Sequence, residues 1–110
     1  MKLAIVGSRS LEITNLENYL PENITEIVSG GARGIDLCAK AFAAEHGIKY
    51  TEFTPDYKSY GKAAPIIRNK IIVEYADEVI AFWDEESKGT KSVIDYCKKI
   101  GKPITIIRGL

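Results

Sequence analysis

The sequence has little that titrates or oxidises near neutral pH: two cysteines and one histidine in 110 residues. Cys38 and Cys97 both fall in helix-like segments. Two thiols are too few for a disulfide framework, and no second pair offers a zinc site, so both read as reduced core thiols. No cluster of metal-ligating residue types appears. No metal and no cofactor of the chain's own is expected, and a magnesium ion would arrive only with a diphosphate ligand. His46 stands alone at the end of a helical segment, where its charge is mildly favourable, and is not read as catalytic.

Net charge is also missing. Lysine plus arginine total 15, and aspartate plus glutamate total 15. A balanced surface has no bulk attraction for nucleic acid, and no basic stripe runs along the chain. The charge pattern therefore argues against nucleic acid as a partner. Any anion site must be a local cluster. Long hydrophobic runs are absent too. The opening MKLAIVGSRS has only about four apolar residues in a row, too few for a signal-peptide core or a membrane span. A cytoplasmic location without membrane contact is the expectation. There is no internal repeat, linker or low-complexity segment, and the length suits one domain over residues 1–110.

What is present is a set of short apolar runs broken by turn signals, within a chain that is 45% hydrophobic. LAIV (3–6), TEIVS (25–29), IKYTEFT (48–54), DEVIAFW (77–83) and PITIIR (103–108) are β-rich and short, as strands are. Helical spacing fills the gaps. Ile13, Leu16 and Leu20 follow it first. Ile35, Cys38, Ala39 and Phe42 follow at i, i+3, i+4 and i+7, closed by Gly47. Pro65 suits a first turn, and Ile67, Ile71 and Tyr75 then repeat every four residues. Val93, Ile94, Cys97 and Ile100 mark the last helix, closed by Gly101 and Pro103. Residues 55–64 are the longest irregular stretch. Strand and helix alternate throughout, which predicts an α/β fold: one parallel five-stranded sheet with helices on both faces.

In such sheets ligands bind beyond the carboxyl ends of the strands. The loops there read GSRS, GGARGID, PDYKSYGK and DEESKGT. SGGARGID (29–36) follows a strand and opens a helix. Its glycines permit close approach, the helix start leaves N–H groups free, and Arg33 adds a forked donor, so a phosphate fits. A second reading is a tight strand–helix turn in which Asp36 merely favours the helix N-terminus. The spacing is neither the Rossmann GxGxxG nor a P-loop. GSRS supplies Gly7, Ser8 and Arg9, a similar small nest or a plain surface turn. In ESKGT, Ser87 or Thr90 caps the last helix and Gly89 permits close approach. Arg68, Tyr57, Tyr60 and Lys62 lie on or before the third helix, either closing over a ligand or simply solvated.

Taken together, these residues resemble the SLOG superfamily of Rossmann-like domains, which includes the DNA-processing proteins and the cytokinin-activating LOG enzymes. Within it they are most similar to the small YspA-like family. The resemblance rests on GSR (7–9), SGGARGID (29–36), YGKAAPIIRN (60–69), ADEVIAFWD (76–84), SKGT (87–90) and GKP (101–103). It implies a single Rossmann-like three-layer domain, with expected strand order 3-2-1-4-5, and a nucleotide-related small molecule at the strand ends. It also implies that a homodimer formed through helices is one available assembly. In LOG-like phosphoribohydrolases the second-strand glycines and a GGxGT loop hold phosphate. An arginine before the fourth strand and a glutamate on the last helix carry hydrolysis.

By resemblance Ser29, Gly30 and Gly31 match the first motif, Arg68 the arginine, and Gly89 and Thr90 part of the loop. Val93 stands where the glutamate belongs. The candidate ligand set is therefore Gly7, Ser8, Arg9, Ser29, Gly30, Gly31, Arg33, Gly34 and Asp36 in the first two loops. Tyr60, Lys62, Arg68, Asn69, Asp84, Ser87, Gly89 and Thr90 complete it. A nucleotide-binding domain is the first expectation. The alternative is a hydrolase that cleaves an N-glycosidic bond without the LOG-type glutamate, its acid drawn from Asp36, Asp84, Glu85 or Glu86. The residues alone do not decide whether the chain is an enzyme.

Overall fold

The computed structural model describes residues 1–109. Five strands appear: β1 (Lys2–Gly7), β2 (Glu26–Ser29), β3 (Lys49–Glu52), β4 (Glu78–Phe82) and β5 (Ile104–Ile107). They form one sheet in the order β3-β2-β1-β4-β5, with every pairing parallel. The helices are α1 (Ile35–Glu45), the four-residue α2 (Tyr57–Tyr60), α3 (Ala64–Tyr75) and α4 (Lys88–Ile100). The expected α/β fold and strand order are both found.

The layers follow from alternation along the strands, since successive side chains point to opposite faces. Leu3, Ile5, Ile27, Ile80 and Phe82 pack with Ile35, Ala39 and Ala43 of α1. Ala4, Val6, Val28, Val79 and Ala81 pack with Ile72 and Val73 of α3, with Ala76 just after it, and with Val93, Ile94 and Cys97 of α4. Two separate cores therefore sandwich the sheet. At the far end of β2 the buried Glu26 carboxylate is satisfied. It accepts from Thr51 Oγ1 and from Tyr75 Oη, both at 2.6 Å.

Three local expectations are corrected. Ile13, Leu16 and Leu20 belong to a segment that forms only a 3-10 turn over Leu16–Tyr19. Leu16 is its one buried residue, so a single anchor replaces a helical face. On α3 the buried face is Ala64, Ile72 and Val73, while Ile71 is 41% exposed. The four-residue repeat misjudged the face because the central half-buried position belongs to a charged residue, Arg68. Residues 55–64 are less irregular than expected. Asp56 caps α2 by accepting from Ser59 N at 3.1 Å, and a 3-10 turn over Gly61–Ala63 leads into α3.

The chain leaves β1 through the Leu16–Tyr19 turn on the face that α1 covers and leaves β4 toward α4 on the other. A crevice opens between these two neighbouring strands, at the point where ligands bind in open α/β sheets.

Candidate functional site

A cavity of about 400 Å³ occupies that crevice. Gly7, Arg9 and Ser10 border it after β1, Gly30, Ala32 and Asp36 after β2, and Pro65, Arg68 and Asn69 from α3. Asp84, Ser87, Gly89 and Thr90 close it after β4, over a wall of Val6, Ile72 and Val93.

Arg68 is its most constrained charge. It is half-buried, and Nε donates to Asn69 Oδ1 at 2.9 Å. Nη1 donates to the Gly30 carbonyl at 3.0 Å and, longer, to that of Phe53 at 3.4 Å. All three acceptors are neutral. No carboxylate oxygen lies within 4.0 Å of Arg68 or of the exposed Arg9 among the described residues. Burial lowers the Arg68 pKa, and the nearby negative charge of Asp36 opposes that shift. A charge held this way favours an incoming anion.

Gly30 makes the arginine's position possible. A Cβ on Gly30 would lie 2.5 Å from Nη1 of Arg68. Gly31 answers to a different neighbour. It has φ of 72°, and a Cβ there would fall 2.4 Å from the Glu52 carboxyl carbon. Gly7 is likewise pressed on Ile35, and Gly34 on the carbonyls of Ser8, Arg9 and Leu11.

The SGGARGID loop already holds an anion of its own. Asp36 is 7% exposed and its Oδ2 accepts from Ala32 N at 3.1 Å. Burial raises its pKa, opposed by the backbone amides of Ala32 and Gly30 and by the charges of Arg68 and Arg9. Asp36 thus occupies the Ala32 amide, and protein atoms fill the space beside Gly31 and Gly34. Only Gly30, Ala32 and Asp36 of the motif reach the cavity.

Asp84 does a different job. Its Oδ1 accepts from Ser87 N at 2.7 Å and Glu86 N at 2.9 Å, and its Oδ2 accepts from Ser10 Oγ at 2.8 Å. Its own amide donates to Ser8 Oγ at 3.1 Å. These bonds, the backbone ones first, pull its pKa down to about 2. Asp84 therefore ties the β1 and β4 loops together as a carboxylate. Glu85 adopts φ of 67° in this tight turn.

The turn delivers the start of α4. Ser87 caps it, its Oγ accepting from Thr90 N at 3.4 Å. The amides of Lys88 and Gly89 find no acceptor among the described residues. Gly89 differs from Gly7, Gly30, Gly31 and Gly34, because a Cβ there would meet nothing within 4 Å. No protein atom requires glycine at this helix start, which borders the cavity with open space.

Of the sequence-derived candidates, Gly7, Arg9, Gly30, Asp36, Arg68, Asn69, Asp84, Ser87, Gly89 and Thr90 border the cavity. Ser8, Ser29, Gly31, Arg33, Gly34, Tyr60 and Lys62 do not. Ser8 is buried behind the site and Ser29 Oγ hydrogen-bonds Tyr50 Oη at 2.6 Å. Arg33, Tyr60 and Lys62 are exposed. Sequence reasoning left out Ser10, Ala32, Pro65, Val6 and Ile72. The first two lay inside motifs already singled out, but the last two looked like ordinary core.

A parallel sheet in this order, with an arginine-bearing crevice at the strand ends, defines a Rossmann-like domain. The model of the YspA, cpYpsA-related SLOG family matches residues 2–60, and the chain belongs to that family. A search of curated proteins finds no match. Among solved structures, DNA processing protein A from Helicobacter pylori, described for its single-stranded DNA binding, is similar with a TM-score of 0.75 at 23% identity. The match covers 96% of this chain and 64% of that one, so this chain spans under two thirds of the neighbour's length. The likeness establishes a common fold.

It also corrects the expectation against nucleic acid. The same fold serves single-stranded DNA binding in the Helicobacter protein. Overall charge balance was the wrong guide, because a few local groups such as Arg9 and Arg68 set the potential of a crevice. No helix among the described residues is long and apolar enough to cross a membrane. No group of three or more His, Cys, Asp or Glu among them is arranged to hold a metal ion.

Proposed function

We propose that this chain binds a nucleotide or nucleotide derivative. Its phosphate would lie in the cavity between Arg68, Arg9 and the first turn of α4. One observation carries the reading: the half-buried Arg68 guanidinium is bonded only to neutral oxygens and has no carboxylate partner among the described residues. The free amides of α4 and the open space at Gly89 agree with it. So does the cavity volume of about 400 Å³, within the roughly 300–1,000 Å³ range of small-molecule sites. Membership of a SLOG family supports a nucleotide-related ligand.

The test is a thermal-shift screen against AMP, dinucleotides, ADP-ribose derivatives and a single-stranded oligonucleotide. A ligand at a hundred times its Kd stabilises the native state by about 2.7 kcal/mol. A rise in melting temperature with a small nucleotide is the expected result. No rise with any nucleotide at millimolar concentration contradicts the proposal. A rise with the oligonucleotide alone would shift the ligand class to nucleic acid.

A second reading, hydrolysis of an N-glycosidic bond, is favoured by one residue. Asp36 is a buried carboxyl bordering the cavity, with its pKa raised by burial, as an acid–base group needs. Asp84 borders it too but is engaged by three donors. Val93, where the LOG-like motif has glutamate, contributes only apolar wall.

A further inference from the structure

Two exposed aromatic rings cluster on one short element. Tyr57 is 57% and Tyr60 49% exposed, and both lie on α2 three residues apart, on one side of the helix. Elsewhere Tyr19 packs edge-on against Phe82, and Phe53 against Tyr75. Neither Tyr57 nor Tyr60 meets another ring in this way among the described residues.

The element that carries them is well held. Asp56 caps it through Ser59 N, and Tyr60 N donates to Asp56 O at 3.0 Å. It packs on the start of α3, the helix that delivers Arg68. Arg68 Nη1 in turn reaches the Phe53 carbonyl, a few residues before α2. Tyr57 and Tyr60 thus sit on an element packed against the helix that bears Arg68, and Tyr57 is near enough to influence the Arg68 charge.

We infer that Tyr57 and Tyr60 form a stacking platform for the base of the nucleotide whose phosphate lies at Arg68, an inference that rests on the proposed function and adds a base subsite to it. With the phosphate between Arg68 and α4, the floor of the cavity and its surroundings offer the base different surfaces. Inward, the wall of Val6, Ile72 and Val93 offers no side-chain polar atom to a base edge. Outward, α2 packs on the start of α3, where Pro65 borders the cavity, and presents exposed rings and hydroxyls. Stacking accepts every base, since each has a π-face, so the platform would contribute affinity with little base preference.

The experiment compares AMP with ribose 5-phosphate by titration calorimetry on the wild type, on Tyr57→Ser/Tyr60→Ser and on Tyr57→Phe/Tyr60→Phe. Sedimentation velocity is run on each. Base–aromatic stacking corresponds to roughly a 5- to 150-fold gain in affinity. The wild type should bind AMP more tightly than ribose 5-phosphate by a factor in that range. The serine variant should lose that advantage and keep its ribose 5-phosphate affinity, and the phenylalanine variant should retain AMP affinity within about twofold. Unchanged AMP affinity in a serine variant that still binds ribose 5-phosphate overturns the platform. A wild-type dimer lost in the serine variant at unchanged AMP affinity also overturns it, and assigns the rings to self-association. If the wild type binds neither compound, the nucleotide reading itself falls and the platform falls with it.

Discussion

The Arg68 guanidinium donates to the Gly30 carbonyl at 3.0 Å and presses so close to that glycine that a Cβ would lie 2.5 Å from Nη1. The arginine's position and the missing side chain are therefore one feature. Gly30→Ala should push the guanidinium out of place, because the added methyl cannot coexist with it. The φ of Gly30 is not in the left-handed region, so the backbone itself tolerates alanine. The expected result is a folded variant whose affinity for the nucleotide found by the thermal-shift screen drops about tenfold or more. Unchanged affinity would mean that the arginine has room to shift without consequence.

Asp84 predicts an acid-sensitive loop. Its folded pKa is depressed to about 2, and that of a free aspartate is about 3.9. A depressed carboxylate contributes stability above its unfolded pKa and loses it as pH falls through the folded value. Asp84→Asn should therefore be less stable than the wild type at pH 7, with the gap closing between about pH 4 and about pH 2. Urea unfolding across that window reads it. A gap independent of pH would show that the hydrogen bonds, and not the charge, are what Asp84 supplies.

Asp36 predicts the opposite sign. Burial raises its folded pKa, so the charged form weakens the fold as pH climbs past the unfolded value. An asparagine at this position can still accept from Ala32 N through its amide oxygen. Asp36→Asn should match or exceed the wild type in melting temperature at pH 7 and lose that advantage at pH 4. A large destabilisation at pH 7 would show that the carboxylate, facing Arg68 and Arg9, is worth more charged than its burial costs.

The alternation of strands with helices in the sequence was enough to place helices on both faces of the sheet. Leu3 and Ile5 on one face, and Ala4 and Val6 on the other, already imply helices on both sides. Gly101 was legible as a helix end, and it closes α4 with φ of 75°. What stayed hidden depends on long-range contact. Nothing local says that Glu52 lies over Gly31, or that the acid of SGGARGID turns back onto Ala32 and fills its own loop. The buried side of α3 was misread because Arg68 holds an inward position that a hydrophobic count assigns to isoleucine. The cap at Asp56, three residues before Ser59, was a readable signal that would have revealed α2.

Val93 predicts weak or absent chemistry. It is 2% exposed and borders the cavity where the LOG-like motif has its glutamate. Loss of one positioned acid–base group costs about 10²–10⁴ in rate. Release of free base from nucleoside 5′-monophosphates, followed by chromatography, should therefore stay at least a hundredfold below a LOG-like control. Turnover within tenfold of the control would contradict this, and its loss in Asp36→Asn would then assign the acid.

In the proposed complex Arg68 receives the phosphate. Titration calorimetry of AMP, or of whichever nucleotide stabilises the protein best, into the wild type and Arg68→Ala tests it most directly. A hydrogen bond to a charged group contributes about 1.5–3 kcal/mol, so Arg68→Ala should bind roughly 10- to 150-fold more weakly. Circular dichroism should show the fold retained. A loss smaller than about threefold in a folded Arg68→Ala would contradict direct contact and with it the account of the site.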